Sequence, residues 1–339
     1  MLSRLALRAM FIALATLPTA GALVASADDG PPPGQDAPGR APLTVLRDAP
    51  AARREVVVLV GGLGSSAQDS SFDAVIAALG DRYDVVRFGA DPAHPYDTLG
   101  PIDSSARELA AQVRELGSRS AGVSIIAHSM GATVADRAIG SGLSGADGLT
   151  TYVALAAPHQ RPAISIVAGG VLALAGPDAV VLRAALSPLR DPGTPAVGDL
   201  ADARATSAPE GVARLDLRLA TDQLVLAHDS ATPGVETRTL LPSTARGLEG
   251  HGGALADPRV LALTREAIES RRAPVDTRSG AERAVTGVVA RVNDGAVELA
   301  LAALALLLLG VVVALKRQTF ASRVLLRPLA RRVLEAGAR

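Results

Sequence analysis

The stretch Val123-Ser-Ile-Ile-Ala-His-Ser129-Met-Gly131 joins an apolar, strand-like run to a serine, and the residues that follow it up to Ile139 are typical of a helix. A serine on a sharp turn between a strand and a helix has its hydroxyl pushed out of the sheet, where a base can reach it. Small residues are needed two positions before and after the serine because the turn brings neighbouring backbone close. The pattern is G-x-S-x-G, with Ala127 in place of the first glycine.

A second glycine-rich turn precedes this motif. Residues 56–60 read Val-Val-Val-Leu-Val, which is typical of a strand buried on both faces of a parallel sheet. They lead into Gly61-Gly-Leu-Gly-Ser-Ser66, whose glycines let backbone N–H groups approach a ligand. In the fold that uses this serine motif, one oxyanion donor follows the serine and one lies in this early loop, here Met130 and Leu63. The alternative is that the two glycines only make a turn.

Candidate partners for the serine lie downstream. Residues 212–220 alternate apolar and polar side chains, as a strand does, and Asp222 follows just past their end. A further strand candidate covers residues 235–241, and His251 opens a predicted final helix. A hydroxyl needs a base to accept its proton during attack, and a carboxylate on the far ring nitrogen orients that base. The chain order Ser, Asp, His agrees with the G-x-S-x-G motif.

These features together resemble the α/β-hydrolase superfamily, specifically its lipase-like members, including the group similar to GPI inositol-deacylases. The resemblance covers roughly residues 56–270 and is carried by residues 61–66, 127–131 and 156–159, and by His251 with Leu255 and Pro258. It implies a mostly parallel central sheet flanked by helices, a Ser129 nucleophile, a His251 base and an Asp222 that orients the base. The chain departs from the family at Ala127 and Gly61, where many relatives have glycine and histidine; these departures bear on fine positioning more than on the reaction class.

Other residues compete for the base and acid roles. His228 is the alternative base, and Asp229 is the alternative acid to Asp222. Asp216 would point sideways out of a strand, which does not suit the acid role.

The remaining histidines are expected to lie outside the catalytic group. His128 adjoins Ser129, but neighbours at such a turn diverge, so it is a poor base. We expect His159, just after the strand predicted at residues 152–156, to be a wall or packing residue, and His94 to lie in a surface loop.

Both ends of the chain indicate export and anchoring. Arg4 and Arg8, an apolar run over residues 9–24 and a small-residue site ending at Ala27 form the pattern of a signal peptide over residues 1–27, with an uncleaved anchor as the alternative. Residues 299–315 are apolar without a charge and are followed by Lys316 and several arginines. About 25 Å of helix is slightly short of an average hydrocarbon core but within the usual range for a spanning helix, and basic residues stay cytoplasmic.

The chain therefore divides into six predicted segments. These are a signal peptide (1–27), a flexible linker (28–50), an α/β-hydrolase domain (51–270), a juxtamembrane linker (271–296), one transmembrane helix (297–315) and a basic cytoplasmic tail (316–339). Strands and helices alternate from residue 56 to residue 156, which predicts a doubly wound sheet. The pattern breaks at about residues 160–210, which we interpret as a cap inserted over the active site. The tail has the composition of an amphipathic helix on an anionic leaflet or of a solvated basic segment.

Composition excludes several classes of function. The 339 residues carry 34 basic and 34 acidic side chains, so the charge gives no case for nucleic-acid binding. Cysteine is absent and aromatic residues make up only 2%, which argues against disulfides, thiolate metal sites and recognition by ring stacking. No cofactor or metal is expected. Lys316 is the sole lysine, and the abundance of Arg, Ala and Gly suggests a GC-rich bacterial genome.

The sequence thus predicts a serine hydrolase at the cell membrane, with an extracytoplasmic catalytic domain and a cytoplasmic tail. Its expected reaction is cleavage of carboxylic esters, lipid-like ones in particular, through an acyl-enzyme. The expected partners are the ester or lipid substrate and membrane lipid, and no protein partner is indicated. The alternatives are an acyltransferase of the same fold and a non-catalytic protein that uses the fold for binding.

Overall fold

The computed structural model of the protein describes residues 53–160, 194–200, 202–227, 229–230, 237–244 and 250–336. Within the last range, the side chains of residues 308 and 309 and of those from 311 onward lie outside the description. The predicted signal peptide and first linker, and residues 161–193 of the predicted cap, also lie outside it.

A six-stranded sheet, parallel at every pairing, forms the centre of the structure, with strand order β2-β1-β3-β4-β5-β6. Its strands are β1 Val56–Val60, β2 Asp84–Arg87, β3 Val123–His128, β4 Leu149–Leu155, β5 Ala213–Leu219 and β6 Thr237–Leu240. The parallel sheet predicted from the sequence is confirmed, and each predicted strand overlaps an observed one.

Helices cover both faces of this sheet. They are α1 Asp73–Leu79, α2 Ile102–Arg119, α3 Met130–Gly140, α4 Pro195–Leu200, α5 Pro258–Ser270 and α6 Gly280–Ala336. The side chains of β1 alternate between two cores: Val58 packs with α2 and α3, and Leu59 packs with α1 and α5. This burial on both faces explains why the strand has no polar residue.

The order of the strands places a crevice beside β1. The chain runs from β1 outward to β2, then returns past β1 to β3 and continues outward to β6. The loops that follow β1 and β3 therefore leave the sheet in opposite directions, and such a switch point opens a cleft at the carboxyl ends of parallel strands. Val60 pairs with Ala127 in the register, so the loop after β1 lies next to Ser129.

The last helix of the domain begins later than its sequence predicts. His251 opens a short 3-10 turn over Gly252–Leu255, and α5 begins only at Pro258. Asp257 caps α5 by accepting hydrogen bonds from the N–H groups of Arg259 and Val260. The expectation of a helix from His251 was wrong because the Asp-Pro pair is the stronger signal for a helix start.

The juxtamembrane segment also differs from its prediction. Residues 271–296 were expected to form a linker, but α6 begins within them at Gly280 and continues to Ala336. It thus runs through the predicted transmembrane segment, residues 297–315, whose second half lies mostly beyond the described side chains. Within the described residues, no helical segment has the length and hydropathy of a bilayer span.

Candidate active site

Ser129 sits in a strained turn between β3 and α3. Its backbone has φ 57° and ψ −130°, a conformation that costs a residue with a side chain about 1–3 kcal/mol. The N–H of Ser129 donates to the carbonyl of Leu155 at 3.0 Å, and its own carbonyl accepts from Ala132 at 2.9 Å. These bonds tie the turn to β4 on one side and to α3 on the other.

The small residues around Ser129 are required by close backbone contacts. A Cβ atom on Gly131 would lie 2.4 Å from the carbonyl oxygen of Val60, and one on Gly62 would lie 3.0 Å from Cβ of Ser129. Ala127 is fully buried in the core and takes the place where the motif usually has glycine. The crowding predicted for this turn is therefore present.

The three predicted side chains lie within hydrogen-bonding distance of one another. Nε2 of His251 is 2.7 Å from Oγ of Ser129. Nδ1 of the same ring is 3.0 Å from Oδ2 and 3.2 Å from Oδ1 of Asp222. A carboxylate only accepts, so Nδ1 carries the ring proton and Nε2 is left to accept the hydroxyl proton. This arrangement can activate a serine for attack on a carbonyl carbon.

Asp222 is held ionised in a buried position. The residue is 1% exposed, and its Oδ1 accepts the N–H groups of Leu224 and Val225, both at 2.9 Å. Burial acts to raise the pKa of Asp222, but the charge and hydrogen bond of His251, together with these two N–H donors, outweigh it and lower the pKa below its usual value.

His128 supports the base, a role that the sequence did not predict. Its Nε2 donates to the carbonyl of His251 at 3.0 Å, and the two ring centres are 4.8 Å apart. Burial, reinforced by the neighbouring charge of His251, lowers the pKa of His128 to about 3. A ring that stays neutral can hold the His251 loop without placing a second positive charge beside the imidazolium.

Met130 and Leu63, the predicted oxyanion donors, lie at the start of α3 and in the glycine loop after β1. Met130 is the first residue of α3, so its N–H has no acceptor within the helix. Leu63 lies in a turn closed by Ser65, whose N–H and Oγ both donate to the carbonyl of Gly62, at 3.1 and 2.7 Å. The hydroxyl of Tyr96 donates to the carbonyl of Gly61 at 2.7 Å and fixes the start of this loop.

The acid on β5 belongs to a different cluster. Asp216 Oδ2 is 2.6 Å from Nε2 of His159, and Asp136 Oδ2 is 2.9 Å from Nδ1 of that ring. Arg214 pairs with both carboxylates, at 2.8 and 2.9 Å. His159 was expected to be a wall or packing residue, but it is the centre of a buried ion cluster. Its signal in the sequence is the Arg-x-Asp spacing on β5, which places both charges on one face.

Burial opposes the charged form of His159, yet the hydrogen bonds and charges of Asp136 and Asp216 raise its pKa to about 9. The ring is therefore charged at neutral pH and balances the two carboxylates together with Arg214. This cluster joins α3, β5 and the segment after α4, because Arg214 also donates to the carbonyl of Thr206.

His94 and Asp229 each have a polar partner elsewhere. His94 was expected in a surface loop, but it is only 9% exposed and its Nε2 is 3.0 Å from Oε2 of Glu115. Asp229 Oδ2 accepts the N–H of Leu226 within its own turn. His228 lies outside the described residues. Among the residues that the structure describes, no cluster of His, Asp and Glu is suited to hold a metal ion.

Comparison with known proteins agrees with the serine motif. Residues 51–160 match a family described as "Putative serine esterase (DUF676)". This match spans about a third of the 339 residues and supports a serine hydrolase, and the parallel sheet between helices fits the α/β-hydrolase fold. The matched segment contains the glycine loop after β1, the turn at Ser129 and His159. No curated protein sequence matches this chain.

Solved structures that are similar to this chain include enzymes of several activities. Lipase B of Aspergillus fumigatus is 16% identical, with 78% of this chain and 67% of that chain covered and a TM-score of 0.46. The RedJ thioesterase of Streptomyces coelicolor is 19% identical, with 69% and 96% covered and a TM-score of 0.39. An esterase of Thermogutta terrifontis is 14% identical, with 65% and 91% covered and a TM-score of 0.43.

The buried His159 cluster predicts a loss of stability at alkaline pH. Because the pKa is raised from 6.5 to about 9 on folding, the stabilisation is fully present below pH 6.5 and is lost as the pH rises through 9. Between pH 6.5 and 10, the free energy of unfolding should fall by about 3 kcal/mol more in the wild type than in His159→Gln. Urea unfolding across this range measures the difference. Parallel curves for the two proteins would contradict the assignment.

Proposed function

We propose that the protein cleaves carboxylic esters by covalent catalysis, with Ser129 as nucleophile, His251 as general base and Asp222 as the group that orients the base. The observation that carries this proposal is the continuous chain of hydrogen bonds from Oγ of Ser129 through the His251 ring to the buried Asp222 carboxylate. Its geometry matches the requirement that the base touch the nucleophile and that the acid hold the base.

The reaction follows from these positions. Oγ of Ser129 attacks the ester carbonyl carbon while Nε2 of His251 takes its proton, and the N–H groups of Met130 and Leu63 donate to the oxyanion. The bond from carbon to the alcohol oxygen then breaks as the imidazolium returns the proton to the leaving oxygen. Water deprotonated by His251 attacks the acyl-enzyme, which releases the carboxylic acid and restores the serine.

An apolar, lipid-like substrate is the class that the surroundings favour. Leu224, two residues from Asp222, has 46% of its surface exposed at the loop that carries the acid. The sequence adds an apolar stretch at residues 163–175, within the segment predicted as the cap. A cap with apolar residues would give the site the apolar lining that lipid-like ligands require.

The same proposal places the enzyme at the cell membrane, with the hydrolase domain outside and the tail inside. Its support is in the sequence: an export signal at residues 1–27, the uncharged apolar residues 299–315 and the basic residues that follow them. An anchored enzyme would meet lipid-like esters at the bilayer surface.

The triad is tested by turnover of p-nitrophenyl esters from acetate to palmitate. Ser129→Ala, His251→Ala and Asp222→Ala should each lower kcat by about 10⁴-fold or more, because the three residues act as one unit. Ser118→Ala, an exposed serine on α2, is the matched control and should keep the wild-type rate. Retained turnover in folded His251→Ala would move the base role to His228.

The topology is tested with single cysteines, since the chain has none of its own. Ala262→Cys lies on the exposed face of α5, and Ala338→Cys lies in the tail. In cells whose cytoplasmic membrane is intact, a maleimide that cannot cross this membrane should label the cysteine at position 262. The cysteine at position 338 should be labelled only after detergent dissolves the membrane. Equal labelling of both cysteines in intact cells would contradict the proposed orientation.

A further inference from the structure

The first part of α6 packs against the hydrolase domain along one face. Glu282 forms an ion pair with Arg259 of α5 at 2.5 Å, and Thr286 and Ala290 are buried. These positions are four residues apart, so they fall on one stripe of the helix. The stripe continues to Asn293 and Asp294. These two residues contact residues 222–227, the segment after β5 that carries Asp222 and is called the acid loop here.

One turn of α6 holds both ends of that loop. Nδ2 of Asn293, the only asparagine in the chain, donates to the main-chain carbonyl of Asp222 at 2.7 Å. Oδ2 of Asp294 accepts the N–H of Ala227 at 2.9 Å. The acid loop therefore has hydrogen bonds to the helix at its first and at its sixth residue.

A buried charge keeps this helical turn against the sheet. Arg218 of β5 is 0% exposed, and its Nη2 lies 3.6 Å from Oδ1 of Asp294. Within the described part of the chain, neither terminal guanidinium nitrogen has a hydrogen-bond partner. A buried guanidinium is stabilised by a nearby carboxylate. The attraction between Arg218 and Asp294 therefore stabilises the packing of α6 against β5, the strand that precedes the acid loop.

The position of the acid loop affects catalysis because the ring of His251 is hydrogen-bonded to Asp222 in this loop. A Cβ atom on Gly250 would lie 2.4 Å from the carbonyl oxygen of Thr221, so the loops on either side of the Asp222–His251 hydrogen bond are in backbone contact. A shift of one loop would change the direction of the imidazole relative to Ser129. Errors of about 1 Å in such a group can cost up to about 10²-fold in rate.

We propose that Asn293 is a positioning residue for the triad: α6, the helix that continues into the predicted membrane segment, sets the place of Asp222 through the Asn293 amide. The catalytic geometry is then completed by α6 and not by residues 51–270 alone. This inference rests on the proposed function, because it assigns a role to Asn293 only through Asp222.

The test is a double-mutant cycle on the full-length protein, with a fluorogenic ester whose residual hydrolysis can be measured in weak variants. Asn293→Ala should lower kcat about 10-fold with KM unchanged, since the side chain touches the acid loop and not the substrate. Asn293→Gln, which keeps an amide donor, should recover most of the loss. Arg291→Ala, on the exposed side of the same helix, is the matched control and should behave as the wild type.

The decisive comparison is made in a protein that lacks the Asp222 carboxylate. In an Asp222→Ala background, Asn293→Ala should have no further effect on kcat, because the group that it positions is gone. An equal fall in both backgrounds, or wild-type kcat in folded Asn293→Ala, would overturn the positioning role. If Asp222→Ala and Ser129→Ala themselves keep wild-type turnover, the proposed function fails and the inference falls with it. Loss in those two variants alone would leave the function standing and reject only the role of Asn293.

Discussion

The backbone conformation of Ser129 is the constraint on which the site depends. A left-handed φ at a non-glycine residue is unfavourable, and it persists only where the surroundings fix it. Here the surroundings are two central strands and a helix that begins at the next residue, with Gly131 packed directly against the carbonyl of Val60. The core therefore supplies the stability that keeps the hydroxyl raised above the sheet. The same close approach brings the glycine loop after β1 beside the serine.

Two histidines, His251 and His159, face different sets of buried carboxylates. Asp222 faces His251, whereas Asp216 and Asp136 share His159 and Arg214. The two clusters differ in the number of charged groups that surround the histidine. The His159 cluster has two carboxylates and an arginine, which hold the ring charged, while the base of the triad faces a single carboxylate and a neutral His128. This difference in environment leads us to assign one histidine to structure and the other to proton transfer.

The sequence was informative wherever a local pattern dictates the structure. The apolar run before Gly61, the serine turn and the alternation of strands and helices predict the sheet, and the order Ser129, Asp222, His251 predicts which side chains meet. It was less informative where long-range packing decides. His94 carries no local sign of its burial against Glu115, and Arg218 reads as the outward residue of an alternating strand.

The start of α6 shows the same limit. Its residues look like a polar linker because their apolar stripe is short, and the contacts that order them come from the acid loop and α5, distant in sequence. Asn293 could have been noticed as the only asparagine of the chain, but nothing local relates it to Asp222. Functional residues that act through a neighbour's backbone leave almost no mark in a single sequence.

The central claim is that Ser129 is the one serine whose hydroxyl is activated by a neighbouring imidazole. Its most direct test is to react the folded protein with a fluorophosphonate and to locate the adduct by peptide mass spectrometry. The account predicts a single phosphonyl group on the peptide that contains Ser129. It predicts no adduct when the protein is denatured before the fluorophosphonate is added. An adduct on another serine, or none on the folded protein, would contradict it.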